Sequence, residues 1–138
     1  MGVQHLINYL NKMAYQILLR GSFSRDVKGY RKEKNLRDRI QVAVESICSN
    51  PDAGEPLVGN WFGIQKYAFH ESPEMRILYA VYTPCCPEWA KEDGKCDASI
   101  TDCSGVIEFI FAKTREECNN LYAMSREYAA QFIRDNPK

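Results

Sequence analysis

Apolar residues recur along this chain of 138 residues with two periods, one of three to four positions and one of two. The longer period marks the face that a helix buries. It predicts a short helix over residues 3–12, a helix over about 22–33 capped by Ser22 or Ser24, and a helix over about 36–50. A fourth stripe predicts one long C-terminal helix from about residue 114. Its apolar positions are Leu121, Met124, Tyr128 and Phe132.

The shorter period is typical of strands, whose side chains alternate between two faces. It predicts strands over residues 13–20, 64–69, 75–82 and 106–112. We therefore expect an α+β fold of order β-α-α-β-β-β-α, in which helices pack on one face of a small, mostly antiparallel sheet. An N-terminal helical hairpin and a C-terminal helix would supply those helices. Residues 1–12 are interpreted as a helical extension and 13–138 as one domain, with a cysteine-rich insertion at 83–105.

Composition narrows the class of protein. With 45% apolar residues, the chain can bury one core. Its 18 basic and 18 acidic residues cancel, which argues against coating nucleic acid by bulk charge. The basic residues are nevertheless concentrated, with eight Lys or Arg against three Asp or Glu between Arg20 and Arg39. No apolar run is long enough to span a bilayer and no secretory signal is recognisable, so we expect a soluble cytoplasmic protein.

Four of the six cysteines fall within one short segment. They are Cys85, Cys86, Cys96 and Cys103. Their spacing lacks the paired C-x2-C knuckles of a zinc site, and cytosolic thiols stay mostly reduced. These cysteines could bind zinc, form a disulfide or stay as free thiols. Free thiols are favoured, and no metal site is assigned. Cys48 and Cys118 have apolar neighbours in helical segments, which predicts packed side chains.

Several short motifs occur in one order between Met13 and Tyr122. They are Ser22–Lys28, Asn50–Gly54, Leu57–Gly59, Gly63–Lys66, Met75–Tyr79, Lys113–Arg115 and Leu121–Tyr122. In this order the chain resembles the RelE/ParE superfamily of bacterial toxins from type II toxin-antitoxin modules. The family fold agrees with the order of elements reached from the hydrophobic pattern.

The resemblance implies a ribosome-dependent endoribonuclease, in which the 2'-hydroxyl of the messenger RNA attacks the neighbouring phosphate. It implies a cognate antitoxin protein, the ribosome and mRNA as partners, and no cofactor. By matching motif positions, it implies four catalytic residues, Lys66, Arg76, Arg115 and Tyr122. Such residues would act by positioning, by stabilising charge on the phosphate oxygens and by handling protons. The interval from Arg115 to Tyr122 is one residue longer than the family spacing.

Strand alternation supports part of this assignment, because it allows Lys66, His70 and Arg76 to share one face of the sheet. The sequence departs from the messenger-cleaving pattern at Ala68, where a second strand lysine is expected. His70 could compensate as an acid or base, since imidazole titrates near neutral pH.

Each candidate also has a plain structural interpretation. Lys66 could lie on a solvated sheet face, Arg76 could form a surface ion pair with Glu71 or Glu74, and Tyr122 could be a core contact. Four cations could bind ribosomal RNA or simply form a solvated helix face. These are Arg25, Lys28, Arg31 and Lys32.

Two other functions stay open alongside the nuclease. A ParE-like toxin that inhibits DNA gyrase would use the same fold without catalytic cations, and Ala68 and the neutral net charge favour it. An inactive, metal-stabilised interaction protein would use the acidic cysteine insertion to bind a partner.

Overall fold

The computed structural model describes residues 15–69, 74–82 and 105–133. These residues form a five-stranded mixed sheet of order β1-β5-β4-β3-β2. The strands are β1 (Tyr15–Leu19), β2 (Glu55–Pro56), β3 (Gln65–Ala68), β4 (Met75–Tyr82) and β5 (Gly105–Thr114). The α-helices are α1 (Gly21–Gly29), α2 (Lys34–Ser49), α3 (Arg115–Tyr122) and α4 (Arg126–Ala130). Short 3-10 turns occupy Pro51–Ala53 and Gly59–Trp61.

The sheet confirms the α+β class. β1 pairs with β5 in parallel, and the other three pairs are antiparallel. β4 and β5 form the centre, and every residue of β4 except Arg76 is buried. The hydrophobic pattern predicted four of the strands; the two-residue β2 was missed, since its segment was interpreted as a turn.

Helices cover both faces of the sheet, so the expectation of a one-sided arrangement is wrong. On the first face, α1 and α2 pack on the odd-numbered residues of β4 through residues such as Phe23 and Ile47. On the second face, α3, α4 and the turn around Trp61 pack on the even-numbered residues. The helix predicted over about 36–50 is confirmed as α2, and its apolar stripe is buried: Leu36, Ile40, Val44 and Ile47.

The start of α1 differs from the prediction. Neither Ser22 nor Ser24 caps it; Arg20 is the N-cap residue and makes no side-chain capping bond. Ser22 lies inside the first turn and donates a hydrogen bond to the Ile110 carbonyl, at 2.5 Å. The helix also ends at Gly29, four residues before the expected Glu33.

This helix completes the edge of β5. β1 covers β5 only as far as Phe109, apart from one further bond from the Arg20 N–H. Beyond that point, the Ser22 hydroxyl donates to the Ile110 carbonyl, and Asp26 Oδ2 accepts the Ala112 N–H at 3.0 Å. Two side chains one helical turn apart therefore satisfy backbone groups that a further strand would otherwise bind.

The prediction of a single long C-terminal helix is also wrong, because the chain forms α3 and α4 with a break at residues 123–125. Thr114 and Glu117 form a capping box that starts α3. Backbone and side-chain hydrogen bonds from Thr114 keep the pKa of Glu117 below its usual value. Ser125 starts α4 by accepting the Tyr128 N–H at 3.1 Å. Each new cap favours a fresh helix start.

The turn before β3 inserts Trp61 beneath the C-terminal helices. Gly59 and Gly63 flank it with φ of 69° and 102°, values that other residues rarely adopt. The Trp61 ring lies 6.4 Å from the ring of Tyr128 on α4, and its Nε1 donates to the carbonyl of Leu121 on α3 at 3.1 Å. Trp61 therefore connects this turn to both α3 and α4.

Gly54→Ala is expected to destabilise the fold by about 1–3 kcal/mol, because an added methyl group overpacks the site. A Cβ on Gly54 would lie 2.6 Å from the Tyr79 hydroxyl and 3.0 Å from the Lys66 carbonyl oxygen. That hydroxyl is held in place, since it donates to the Pro51 carbonyl at 2.7 Å and accepts the Gly54 N–H at 2.9 Å. Urea unfolding measures the loss. The control is Gly29→Ala, where a Cβ meets nothing within 4 Å; equal stability of both variants would contradict the prediction.

Several predictions fall outside the described residues. They concern the helix at 3–12, the hairpin residues before Glu74, His70, and the cysteines of the insertion at 83–105. Cys48 and Cys118 are described; both are buried, as predicted, and both are free thiols. Within the described ranges, no helix has both the length and the apolar character needed to cross a bilayer.

Candidate active site

Lys66 and Arg76 project from the same face of the sheet, the face that carries α3 and α4. Lys66 lies opposite Leu78, and Ala68 lies opposite Arg76. Opposite residues of an antiparallel pair share a face, and Leu78 packs with the C-terminal helices. The two cations are thus diagonal neighbours, a relation in which residues lie about 7–8 Å apart. Strand alternation had predicted this shared face.

Lys113 extends this arrangement across the sheet, because it lies directly opposite Arg76 on β5. Its amine is 2.8 Å from Asp26 Oδ1 and 5.5 Å from the centre of the Phe111 ring. Lys66, Arg76 and Lys113 therefore form a diagonal row over β3, β4 and β5. Sequence reasoning missed Lys113 as a site residue, since the predicted strand ended at Ala112.

The inner wall of this site comes from α3, which carries Cys118 and Tyr122 on successive turns. Burial raises the pKa of both groups, and the nearby Arg76 charge opposes that rise. Arg76 Nη1 and the Tyr122 hydroxyl are both buried, and neither has a hydrogen-bond partner in the described part of the chain. The Cys118 thiol lies within hydrogen-bonding reach of this hydroxyl, but a thiol is only a weak hydrogen-bonding group.

Burial dominates the protonation of both groups on α3. It raises the pKa of Tyr122 to about 12, and Cys118 adds to this rise while Arg76 opposes it. Burial also raises the pKa of Cys118 to about 11, against the opposing charge of Arg76. At neutral pH the phenol and the thiol are therefore both protonated. Tyr122 can donate a proton or a hydrogen bond, whereas the Cys118 thiol is a poor nucleophile.

The other two cations of the predicted set, Lys66 and Arg115, each lie near a carboxylate. Lys66 Nζ lies 3.6 Å from Glu55, whose side chain is 81% exposed. Arg115 starts α3 at the same end of the sheet as Arg76, with its side chain 62% exposed and 3.5 Å from Glu74. Arg115, rather than Arg76, is thus the residue that pairs with Glu74. Such surface pairs contribute little stability and leave both cations accessible.

The basic group on and after α1 divides into two parts. All four of its residues are exposed, as a solvated face or an RNA contact would require. Lys28, Arg31 and Lys32 surround a shallow groove with Glu33. Arg25 instead borders a different groove, together with Arg20 and Lys113.

No group of three or more His, Cys, Asp or Glu side chains within the described ranges is arranged to hold a metal ion. The four clustered cysteines lie outside those ranges. The described site is therefore one of cations and a protonated phenol, suited to an anion.

The site thus combines a partly buried arginine, a protonated tyrosine and accessible cations at one corner of the sheet. Comparisons of the chain with models of known families, with curated proteins and with solved structures gave no match.

Proposed function

We propose that the chain is the toxin of a type II toxin-antitoxin module, a ribosome-dependent endoribonuclease of the RelE/ParE kind that cleaves messenger RNA. The observation that carries this proposal is that Arg76 Nη1 is buried without a partner in the described chain, next to a buried Tyr122 hydroxyl whose one neighbour is the weakly bonding Cys118 thiol. Leaving a buried donor unpaired costs about 1–3 kcal/mol, a cost that a catalytic role can explain. A phosphate oxygen would satisfy both groups.

In the proposed reaction, the 2'-oxygen forms a bond to phosphorus while the bond from phosphorus to the 5'-oxygen breaks. The 2'-hydroxyl loses a proton and the departing 5'-oxygen gains one, so the products are a 2',3'-cyclic phosphate and a 5'-hydroxyl. Arg76 would bind the phosphate oxygens as their negative charge increases. Tyr122 is protonated at neutral pH and suits donation toward the phosphate or the leaving oxygen. His70 stays a predicted acid or base.

The proposal also accounts for the row of cations around Arg76. Lys66 and Lys113 flank it on the neighbouring strands, and Arg115 lies at the exposed rim. Phosphate groups on either side of the cleaved bond would contact these side chains and displace their carboxylate partners. A cognate antitoxin is part of the same proposal, since an active toxin must be neutralised in its host.

The direct test adds the purified chain to a reconstituted translation reaction that contains one defined message. We expect cleaved message with 2',3'-cyclic phosphate ends, and no cleavage when ribosomes are omitted. Mapping of the 3' ends measures the result. Intact message in a reaction that contains active ribosomes would contradict the proposal.

One observation favours a second function, a ParE-like toxin that inhibits DNA gyrase. Three of the four cations at this corner already lie near carboxylates, and Ala68 occupies the position of the expected second lysine. These pairs are Lys66 with Glu55, Lys113 with Asp26, and Arg115 with Glu74. Because these carboxylates partly neutralise the cations, the positive potential that a phosphate would meet is weaker. Expression that induces a DNA-damage response with intact messages would select this function.

A further inference from the structure

A groove between α1 and α4 lies next to the candidate active site. Arg20, Arg25 and Lys113 border it, and Tyr128 and Phe132 supply aromatic walls. We name it the α1–α4 groove. Its volume of about 450 Å³ is within the range of small-ligand sites. Lys113 joins the groove to the site, because the same residue lies opposite Arg76.

The three cations of the groove are held differently. Arg20 is a structural residue, since it lies 3.6 Å from the buried Glu108, donates to the Gln131 carbonyl and stacks on Phe132. Lys113 pairs with Asp26, which also borders the groove. Arg25 is exposed and has no ion-pair partner within the described ranges. Arg25 is therefore the cation that is available to a ligand.

The surroundings of Arg25 also favour an anion. Arg20, Arg25 and Lys113 outnumber the single carboxylate on the lining, that of Asp26. The first turn of α1 borders the groove, contains no acidic residue and has no side-chain cap. Its free N–H groups and the helix dipole add to the positive potential that Arg25 supplies.

The aromatic walls suit the other half of a nucleotide. Tyr128 is half-buried, and its ring lies 5.4 Å from that of Phe132. Trp61 supports Tyr128 from behind, at 6.4 Å between ring centres. Proteins that bind single-stranded nucleic acid combine a cationic path for the backbone with aromatic rings for the bases. The α1–α4 groove has both features.

We propose that the α1–α4 groove binds single-stranded RNA beside the cleaved bond, so that the strand passes from Arg76 over Lys113 to Arg25. Arg25 contacts a phosphate, and Tyr128 contacts a base. This inference rests on the proposed function for the choice of RNA as ligand. It separates Arg25 from Lys28, Arg31 and Lys32, which face a different groove.

The test measures binding of a short, labelled single-stranded RNA to the full chain by fluorescence anisotropy at several salt concentrations. Arg25→Glu is expected to weaken binding about tenfold or more and to reduce the salt slope by about one. Arg126→Glu is the matched control, since Arg126 is exposed on α4 but borders a different groove. It is expected to change binding by roughly twofold at most, because exposed charges at a distance are screened. If Arg25→Glu impairs folding, Arg25→Gln replaces it in the test, and its loss of RNA affinity is expected to be smaller.

The outcomes separate this inference from the proposed nuclease. If the wild type leaves messages intact but RNA binding depends on Arg25, the groove stands and the nuclease is wrong. If the wild type cuts messages and Arg25→Glu binds RNA as tightly as Arg126→Glu, the groove is wrong and the nuclease stands. Tighter, Arg25-dependent binding of duplex DNA would overturn the choice of RNA.

Discussion

Arg76→Met is expected to lower the rate of message cleavage by roughly 10²–10³-fold, the usual loss when one donor to a transition-state oxyanion is removed. The same change should leave the free energy of unfolding unchanged or slightly higher. Arg76 Nη1 has no hydrogen bond to lose, and an apolar side chain removes a buried group without a partner. A structural arginine would behave in the opposite way, because its loss would leave a carboxylate or carbonyl unpaired.

Single-turnover cleavage in a translation reaction and urea unfolding give the two measurements. Arg37→Met is the matched control, since Arg37 also has a buried nitrogen without a partner but lies on α2, over the other face of the sheet. Its cleavage rate should equal that of the wild type. Arg76→Lys keeps the charge without the planar fork and should recover only part of the rate. A large loss of stability without loss of cleavage in Arg76→Met would reject the catalytic role.

Trp61→Ala is expected to lower the free energy of unfolding by about 3–5 kcal/mol, the range for removing a buried aromatic side chain. Trp61 is only 2% exposed and contacts three aromatic rings. Those rings belong to Phe111, Tyr128 and Phe132. The variant also leaves the Leu121 carbonyl without the donor that Trp61 Nε1 provides. Unfolding followed by far-UV circular dichroism measures the effect.

Phe62→Ala is the control for this prediction, because Phe62 is the next residue and its side chain is 73% exposed. Its unfolding free energy should stay within about 0.5 kcal/mol of the wild type. Cleavage should fall in Trp61→Ala as well, since Trp61 holds α3 and α3 carries Tyr122. Loosening of α3 would let water reach the Tyr122 hydroxyl, so its pKa should move back toward the usual value. Equal stability of the Trp61 and Phe62 variants would contradict the proposed docking.

Elements with a local signal were predicted well from the sequence. The stripe on α2 and the alternation of β4 side chains between the two faces need only neighbouring residues, and both are confirmed. The break at residues 123–125 was missed because the apolar positions of the tail continue through it. The pattern therefore predicted the first helix start, at Thr114, but concealed the second, at Ser125. The T-x-x-E sequence from Thr114 to Glu117 was a visible signal of a helix start.

The candidate site divides in the same way. Alternation alone indicated that Lys66 and Arg76 share a face, since both strands were predicted with the correct phase. The pairing of Lys113 with Asp26 could not be found, because the two residues are 87 positions apart and no local pattern connects them. The pairing of β1 with β5 is equally long-range, and it decides which part of β5 is left for α1 to cover.

That last arrangement has a consequence for the behaviour of the protein in a crowded solution. Aggregation commonly begins when a second molecule adds a strand to an uncovered sheet edge. Beyond Phe109, the groups that such an addition would use include the Ile110 carbonyl and the Ala112 N–H, and Ser22 and Asp26 already bind them. Protection against fibre-like stacking at this margin therefore resides in two short polar side chains of a helix.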